Sequence, residues 1–272
     1  VSVDSHQIED IRIAAEAGVD LMLSFTSENI EEAKAFPCPV VVVPDDGETL
    51  YSLYKNIEKL DKWGIDYVAD PILPPLTMGF SHGISRYVQL REKLPNCEML
   101  MGLGNVTELI DADSIGIHGL MVGVAAELSI NYLLTTEVGY RCNNAVREIS
   151  IARELMQKSI CAASLPKHMD YRLLTVKDVE GNSFNKEDLE EMQSVIVDNN
   201  YRIFVADKIY VFNGSNFFQG ETAQSIFSQM EVKNQSHAFY LGRELNKAET
   251  ALQMQKKYVQ DSPLDWGYFN NR

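Results

Sequence analysis

Polar side chains that close apolar runs are the first candidates for chemistry in this chain. Asp4 ends Val1-Ser2-Val3, Ser24 sits within Asp20–Phe25, Asp70 follows Tyr67-Val68-Ala69, and Glu137 follows Tyr132–Thr136. A carboxylate at a strand end can accept two N–H bonds from an aminopyrimidine-type ring. For Asp4 alone, capping a helix that starts near Gln7 is the commoner role. Asp70 heads Asp70-Pro71-Ile72-Leu73-Pro74-Pro75. Proline holds the preceding residue extended, so this carboxylate sits at a rigid strand end, which favours ligand contact over simple turn initiation. In Gly102-Leu103-Gly104-Asn105, the glycines let backbone approach a ligand, and Asn105 offers both a donor and an acceptor. A tight turn that caps a helix explains the same residues. Glu137 could line a ligand, but pairing with Arg141 or Arg147 is the better reading. His6 and His82 lie near strand-end loops and could exchange protons near neutral pH, whereas His118 in an apolar helix reads as core. The spacing gives no nucleophile–histidine arrangement and no histidine pair for a metal.

The elements that must position these residues alternate. Short apolar runs occur at Val1–Asp4, Asp20–Phe25, Val40–Pro44, Tyr67–Leu73, Met99–Leu103 and Tyr132–Val138. Helical patterns separate them at Gln7–Ala17, Ile30–Ala35, Thr49–Trp63, Gly83–Leu94 and Ser114–Leu128, and another follows at Asn144–Lys158. Near-continuous apolar strands with intervening helices predict an α/β protein with a parallel sheet. Polar residues at several strand ends are the habit of a barrel, whose strand ends converge on one site. A dinucleotide-binding sheet would carry a glycine-rich turn after its first strand, and Val3-Asp4-Ser5-His6 carries none. Past residue 160 the pattern changes. A short helix at Lys186–Val195, paired strands at Tyr201–Ala206 and Lys208–Asn213, a glycine-punctuated loop and a long helix at Ala238–Tyr258 predict a separate α+β domain. The expected domains are 1–160 and 161–272.

The chain has 272 residues, 45% of them hydrophobic, and a formal net charge of −15. No basic stripe is visible, which argues against a nucleic-acid partner. The longest apolar run, near Gly119–Ala126, is too short to span a bilayer, so membrane insertion is not expected. Cys38, Cys97, Cys142 and Cys161 form no close pair and fit reduced, mostly buried thiols of a cytoplasmic protein. The chain opens on Val1 without Met or a flexible leader, as the interior of a longer protein would.

Several of these segments occur together in a known family. Val1-Ser2-Val3-Asp4-Ser5, Ala15–Asp20, Asp70-Pro71, Met101–Asn105 and Leu133–Val138 resemble the pterin-binding barrel superfamily, which holds dihydropteroate synthase and the corrinoid-linked methyltransferases. Gly104–Met156, His237–Leu245 and Tyr258–Asp261 are similar to archaeal dihydropteroate synthase-related proteins. The last two stretches also resemble a tail seen near methyltransferase subunits of tetrahydromethanopterin metabolism.

The resemblance implies a (β/α)₈ TIM-type barrel that lacks its first two strands in this chain. A missing N-terminal segment, or a second copy in a homodimer, would then complete it. It implies a reduced pterin of tetrahydrofolate or tetrahydromethanopterin type, gripped by Asp4, Asp70 and Asn105. Ser24, Gly102, Gly104, Glu137 and Arg141 are further candidate lining residues. The departures are informative. Gly104-Asn105-Val106 stands where synthases carry Ser-Arg-Lys, Leu134 and Thr136 replace a basic pair on the last strand, and Leu23 replaces an asparagine. Without those basic groups a departing diphosphate would lack charge stabilisation. The methyltransferase motif Gly-Leu-Ser-Asn is closer to Gly102-Leu103-Gly104-Asn105, with Gly104 in place of serine. The expected function is therefore a pterin-dependent methyl or one-carbon transferase. Asn105 would hydrogen-bond the pterin N5, and a separate corrinoid protein would be the partner. A non-catalytic pterin-binding module of a methyltransferase complex and a genuine synthase are the alternatives.

Overall fold

The computed structural model describes residues 1–5, 7–139, 142–176, 178 and 181–271. They divide into two compact units, Val1–Met169 and Asp170–Arg272. The expected boundary at 160/161 falls inside a helix that runs to Ala162.

In the first unit, β1 (Ser2–Asp4), β2 (Leu21–Phe25), β3 (Val40–Val42) and β4 (Tyr67–Ala69) pair in parallel and in chain order. β5 (Leu100–Gly102) and β6 (Tyr132–Leu134) pair in parallel as well. A parallel bridge between Ala69 and Met99 links β4 to the start of β5. Helices α1 (Ile8–Glu16), α2 (Tyr51–Trp63), α3 (Phe80–Lys93), α4 (Gly104–Thr107) and α5 (Ser114–Glu127) fill the connections, and α6 (Ala145–Ala162) follows β6. The unit is thus mixed α/β with parallel strands. Among the described residues β6 does not pair with β1, so no closed barrel forms.

Alternation along each strand gives the sheet two different faces. Met22, Phe25, Val40, Val42, Ala69, Met99 and Met101 pack with helix residues such as Leu53, Leu60, Tyr87 and Leu90. On the other face Leu23, Val41, Val68 and Leu100 form a cluster with Leu21 and Val43, in which no helix residue takes part. Among the described residues the helices therefore pack on one face of the sheet.

Local departures from the expected pattern have physical causes. Ile30–Ala35 is a 3₁₀ helix, because Phe36 is extended (φ −112°, ψ 140°) ahead of Pro37 and leaves too few residues for an α-helix. β6 ends at Leu134, so Thr135, Thr136 and Glu137 lie beyond it. Of the cysteines only Cys142 is buried, and Cys161 is exposed. His118 is buried as expected, with Nδ1 2.7 Å from Glu148 Oε2, to which the Ser114 hydroxyl also donates.

α3 packs tightly against the proline-rich segment after β4. A Cβ on Gly83 would lie 2.4 Å from Pro74 Cδ. Alanine is intrinsically favoured over glycine in a helix by about 1 kcal/mol. Gly83→Ala is nonetheless expected to lower stability by about 1–3 kcal/mol, because the proline ring cannot swing away. Denaturant unfolding reads the sign directly.

The second unit holds an antiparallel sheet in the order β7 (Arg202–Val205), β8 (Ile209–Phe212) and β9 (Phe217–Gly220). It also holds α7 (Lys186–Ser194), α8 (Ala223–Phe227) and α9 (Gln235–Met254). α9 buries Leu241, Leu245, Ala248 and Ala251 against Ile203, Val205, Ile209 and Val211. The expected loop at 214–220 is largely β9, held by Phe217 stacking on Phe212 with ring centres 5.5 Å apart. No helix among the described residues is long and apolar enough to cross a membrane.

Candidate functional site

Parallel pairing in chain order places the carboxyl ends of β1 to β6 along one edge. Asp4 is the last residue of β1, Ser24 lies at the end of β2, and Asp70 directly follows β4. Gly102 ends β5, and Gly104 and Asn105 open α4 immediately after it.

Ser24 takes a left-handed backbone (φ 68°), and its hydroxyl donates to Asp4 Oδ1 at 2.7 Å. This ties the ends of β1 and β2 together. Among the described residues no hydrogen bond reaches the other carboxylate oxygen of Asp4.

Asp70 is the most constrained. Its Oδ1 accepts from the Tyr87 hydroxyl at 2.6 Å and from the Ile72 amide at 2.8 Å. Its Oδ2 takes no hydrogen bond among the described residues. Burial pushes the carboxyl up to about 6, against the pull of the Tyr87 and Ile72 bonds and of the nearby Arg86 charge. Burial and the Asp70 charge push the Tyr87 phenol well upward, so it remains a donor. The segment after Asp70 is strained and clamped. Ile72 is β-branched yet sits at φ 63°, and Arg86 donates to the carbonyls of Pro71 (Nε, 3.0 Å) and Ile72 (Nη2, 2.8 Å).

Asn105 Nδ2 donates to the Leu73 carbonyl at 2.8 Å, which joins the end of β5 to the Asp70 segment. A carbonyl partner requires a donor, so the amide orientation is fixed and Oδ1 points away from Leu73. A Cβ on Gly104 would approach only Glu108 Oε1, at 3.1 Å. That oxygen accepts from Thr136, so the serine of the methyltransferase motif would require the Glu108 carboxylate to shift. The amide of Leu103 donates to Leu134 O at 2.7 Å and holds this turn on β6.

Glu137 does not end a strand. Its Oε1 accepts from the Val146 amide at 3.0 Å, in the first turn of α6, where a carboxylate complements the helix start. Thr136 donates to Glu108. Arg141 and His6 lie outside the described residues. His82 is exposed on α3 and lines a cavity separate from Asp4, Asp70 and Asn105. Sequence reading missed Tyr87 and Arg86. Both occupy the buried stripe of α3, and nothing local in the sequence distinguishes a buried tyrosine that bonds a carboxylate from one that merely packs.

Residues 178–261 match the family model PterinBD-DUF4346. A pterin-binding domain is therefore indicated. The matched stretch lies in the second unit and covers under a third of the chain. The chain is also 33% identical over 308 residues to an uncharacterized protein of the archaeon Methanocaldococcus jannaschii, an alignment that takes in 97% of this chain. The chain spans 58% of the length of that relative. A solved structure, a spore coat polysaccharide biosynthesis protein E from Chromobacterium violaceum ATCC 12472, overlays 80% of this chain and 62% of its own at a TM-score of 0.45 and 12% identity. The pterin link thus rests on the family match.

Proposed function

We propose that the first unit is an arc of a pterin-binding (β/α)₈ barrel and that Asp4, Asp70 and Asn105 grip a reduced pterin at its carboxyl edge. Three features support the arc. The six strands follow chain order with no reversal, they run parallel, and among the described residues the helices pack on one face. A doubly wound sheet reverses order and carries helices on both faces.

The observation that carries the ligand assignment is Asp70. Its Oδ1 is locked by two protein donors, and its Oδ2 is left to accept from an external N–H donor. The 2-amino and ring N–H groups of a pterin are such donors. The orientation of Asn105 leaves Oδ1 and the second Nδ2 hydrogen for the pterin's central ring.

Chemically the site suits methyl transfer from N5. As the methyl passes to its acceptor, the carbon–nitrogen electron pair stays on N5, which takes a proton from water, and Asn105 supplies a hydrogen bond at that atom. The methyl acceptor would be the reduced cobalt of a corrinoid on a separate protein. Leu134 at the end of β6 and Thr136 just beyond it supply no basic pair for a diphosphate leaving group, which speaks against a synthase.

Transfer from methyltetrahydrofolate or methyltetrahydromethanopterin to cob(I)alamin, followed by the absorbance of methylcobalamin, tests the reaction. Turnover that falls at least tenfold in Asn105→Ala is expected. Pterin binding without turnover would leave a non-catalytic module. Formation of dihydropteroate from pterin diphosphate and aminobenzoate would overturn the reading of β6.

A further inference from the structure

A cavity of about 480 Å³ opens beside the Asp70 segment, between the starts of α2 and α3. Glu48, Thr49 and Leu50 line it from the α2 side, and Gly79, His82 and Arg86 from the α3 side. Arg86 is only 5% exposed. Its Nε and Nη2 are spent on the carbonyls of Pro71 and Ile72, while its Nη1 has no hydrogen bond among the described residues. No described carboxylate lies within ion-pair distance of it. Its charge acts on Asp70 and Asp46, but neither carboxylate is bonded to it, so Nη1 keeps hydrogen-bonding capacity for a ligand.

The backbone adds to the same field. Neither helix start has a side-chain cap, and neither first turn contains an acidic residue. Two sets of unsatisfied amides, at the positive ends of helices of 13 and 14 residues, therefore border the cavity that Arg86 lines. Asp46 offsets part of this field on the α2 side, whereas no carboxylate is among the cavity residues of the α3 side. Asp46 Oδ1 is turned onto the amides of Glu48 and Thr49, at 3.0 Å each, and Glu48 sits at the exposed rim. His82 adds a further ring nitrogen. In a chain of net charge −15 such a pocket runs against the overall field.

We propose that this cavity is a binding subsite for a compact anion, a phosphate or a carboxylate group, held by Nη1 of Arg86 and the amides of the two helix starts. The group could be the acidic tail of the pterin, which rests on the function proposed above, or a separate small anion, which does not.

Inorganic phosphate is the probe, titrated calorimetrically at constant ionic strength. Saturable binding at one site is expected. Ser85→Glu places a carboxylate at the cavity wall from an exposed position and should weaken phosphate at least tenfold. Lys62→Glu, at the far end of α2, makes a larger charge change and should leave affinity within twofold. No saturable binding, or equal weakening by both variants, overturns the proposal. Tetrahydrofolate and tailless tetrahydropterin are then titrated against Ser85→Glu. Weakening of the tailed pterin alone assigns the cavity to the tail, and weakening of phosphate alone assigns it to a separate anion. If neither pterin binds the unaltered protein while phosphate does, the pterin reading fails and the anion site stands.

Discussion

Asparagine in place of Asp70 is expected to stabilise the protein above pH 6 and at the same time to remove its affinity for reduced pterin. Burial raises this carboxyl from 3.8 to about 6 in the folded state. Between those values the folded state binds more protons than the unfolded one, so stability falls as pH rises across the window. Above pH 6 the penalty is fully present, on the order of 2–3 kcal/mol. Asparagine keeps an Oδ1 that can accept from Ile72 and Tyr87, but it carries no charge to desolvate. Asp70→Asn should therefore lose the downward slope between about pH 4 and pH 6.5 and gain stability above it. On the proposed reading Oδ2 accepts from the pterin, and the variant presents an NH₂ in its place. Losing charge-assisted bonds there costs about 3 kcal/mol, or at least ~100-fold in Kd. Thermal melts across pH and a pterin titration read the two halves separately. A variant that destabilises at pH 8, or that binds pterin normally, contradicts the assignment.

Arg86→Leu is expected to be the most damaging single change in the first unit. It orphans the carbonyls of Pro71 and Ile72, each costing about 1–3 kcal/mol when buried without a partner. A loss of about 3 kcal/mol would lower the melting temperature by roughly 6–12 °C for a unit of this size. It would also release the strained Ile72 backbone, so the Asp70 segment should relax and pterin binding should weaken along with stability. Arg86→Lys restores the charge but not the planar fork that spans two carbonyls, and should recover less than half of the loss. Full recovery by lysine would show that charge matters here and carbonyl clamping does not.

Much of the frame was legible in the sequence because burial on both faces leaves a local mark. Val40-Val41-Val42 and Leu100-Met101-Gly102 read as strands for that reason, and the Asp70-Pro71 step announced a rigid strand end. Other features depend on distant partners. β9 is flanked by Gly214 and Gly220 and becomes a strand through Phe217 meeting Phe212 across the hairpin. Tyr87, which bonds Asp70, and Arg86, which clamps the two carbonyls after it, stand 17 and 16 residues further on, and only the way α3 crosses the sheet brings them to that segment. The apolar pattern places Glu137 at a strand end. The strand stops three residues earlier, and the carboxylate serves the start of α6 instead. Among the candidates, Asp4, Ser24, Asp70 and Asn105 reach one sheet edge by topology alone, since parallel strands in sequence order must end together.

The central claim is that this edge holds a reduced pterin, and direct titration of tetrahydropterin and tetrahydrofolate by calorimetry tests it. The account predicts saturable one-to-one binding to the protein, lost in Asp70→Asn and weakened at least tenfold in Asp4→Ala and Asn105→Ala. No heat of binding for either pterin, or binding that survives all three substitutions, would contradict it.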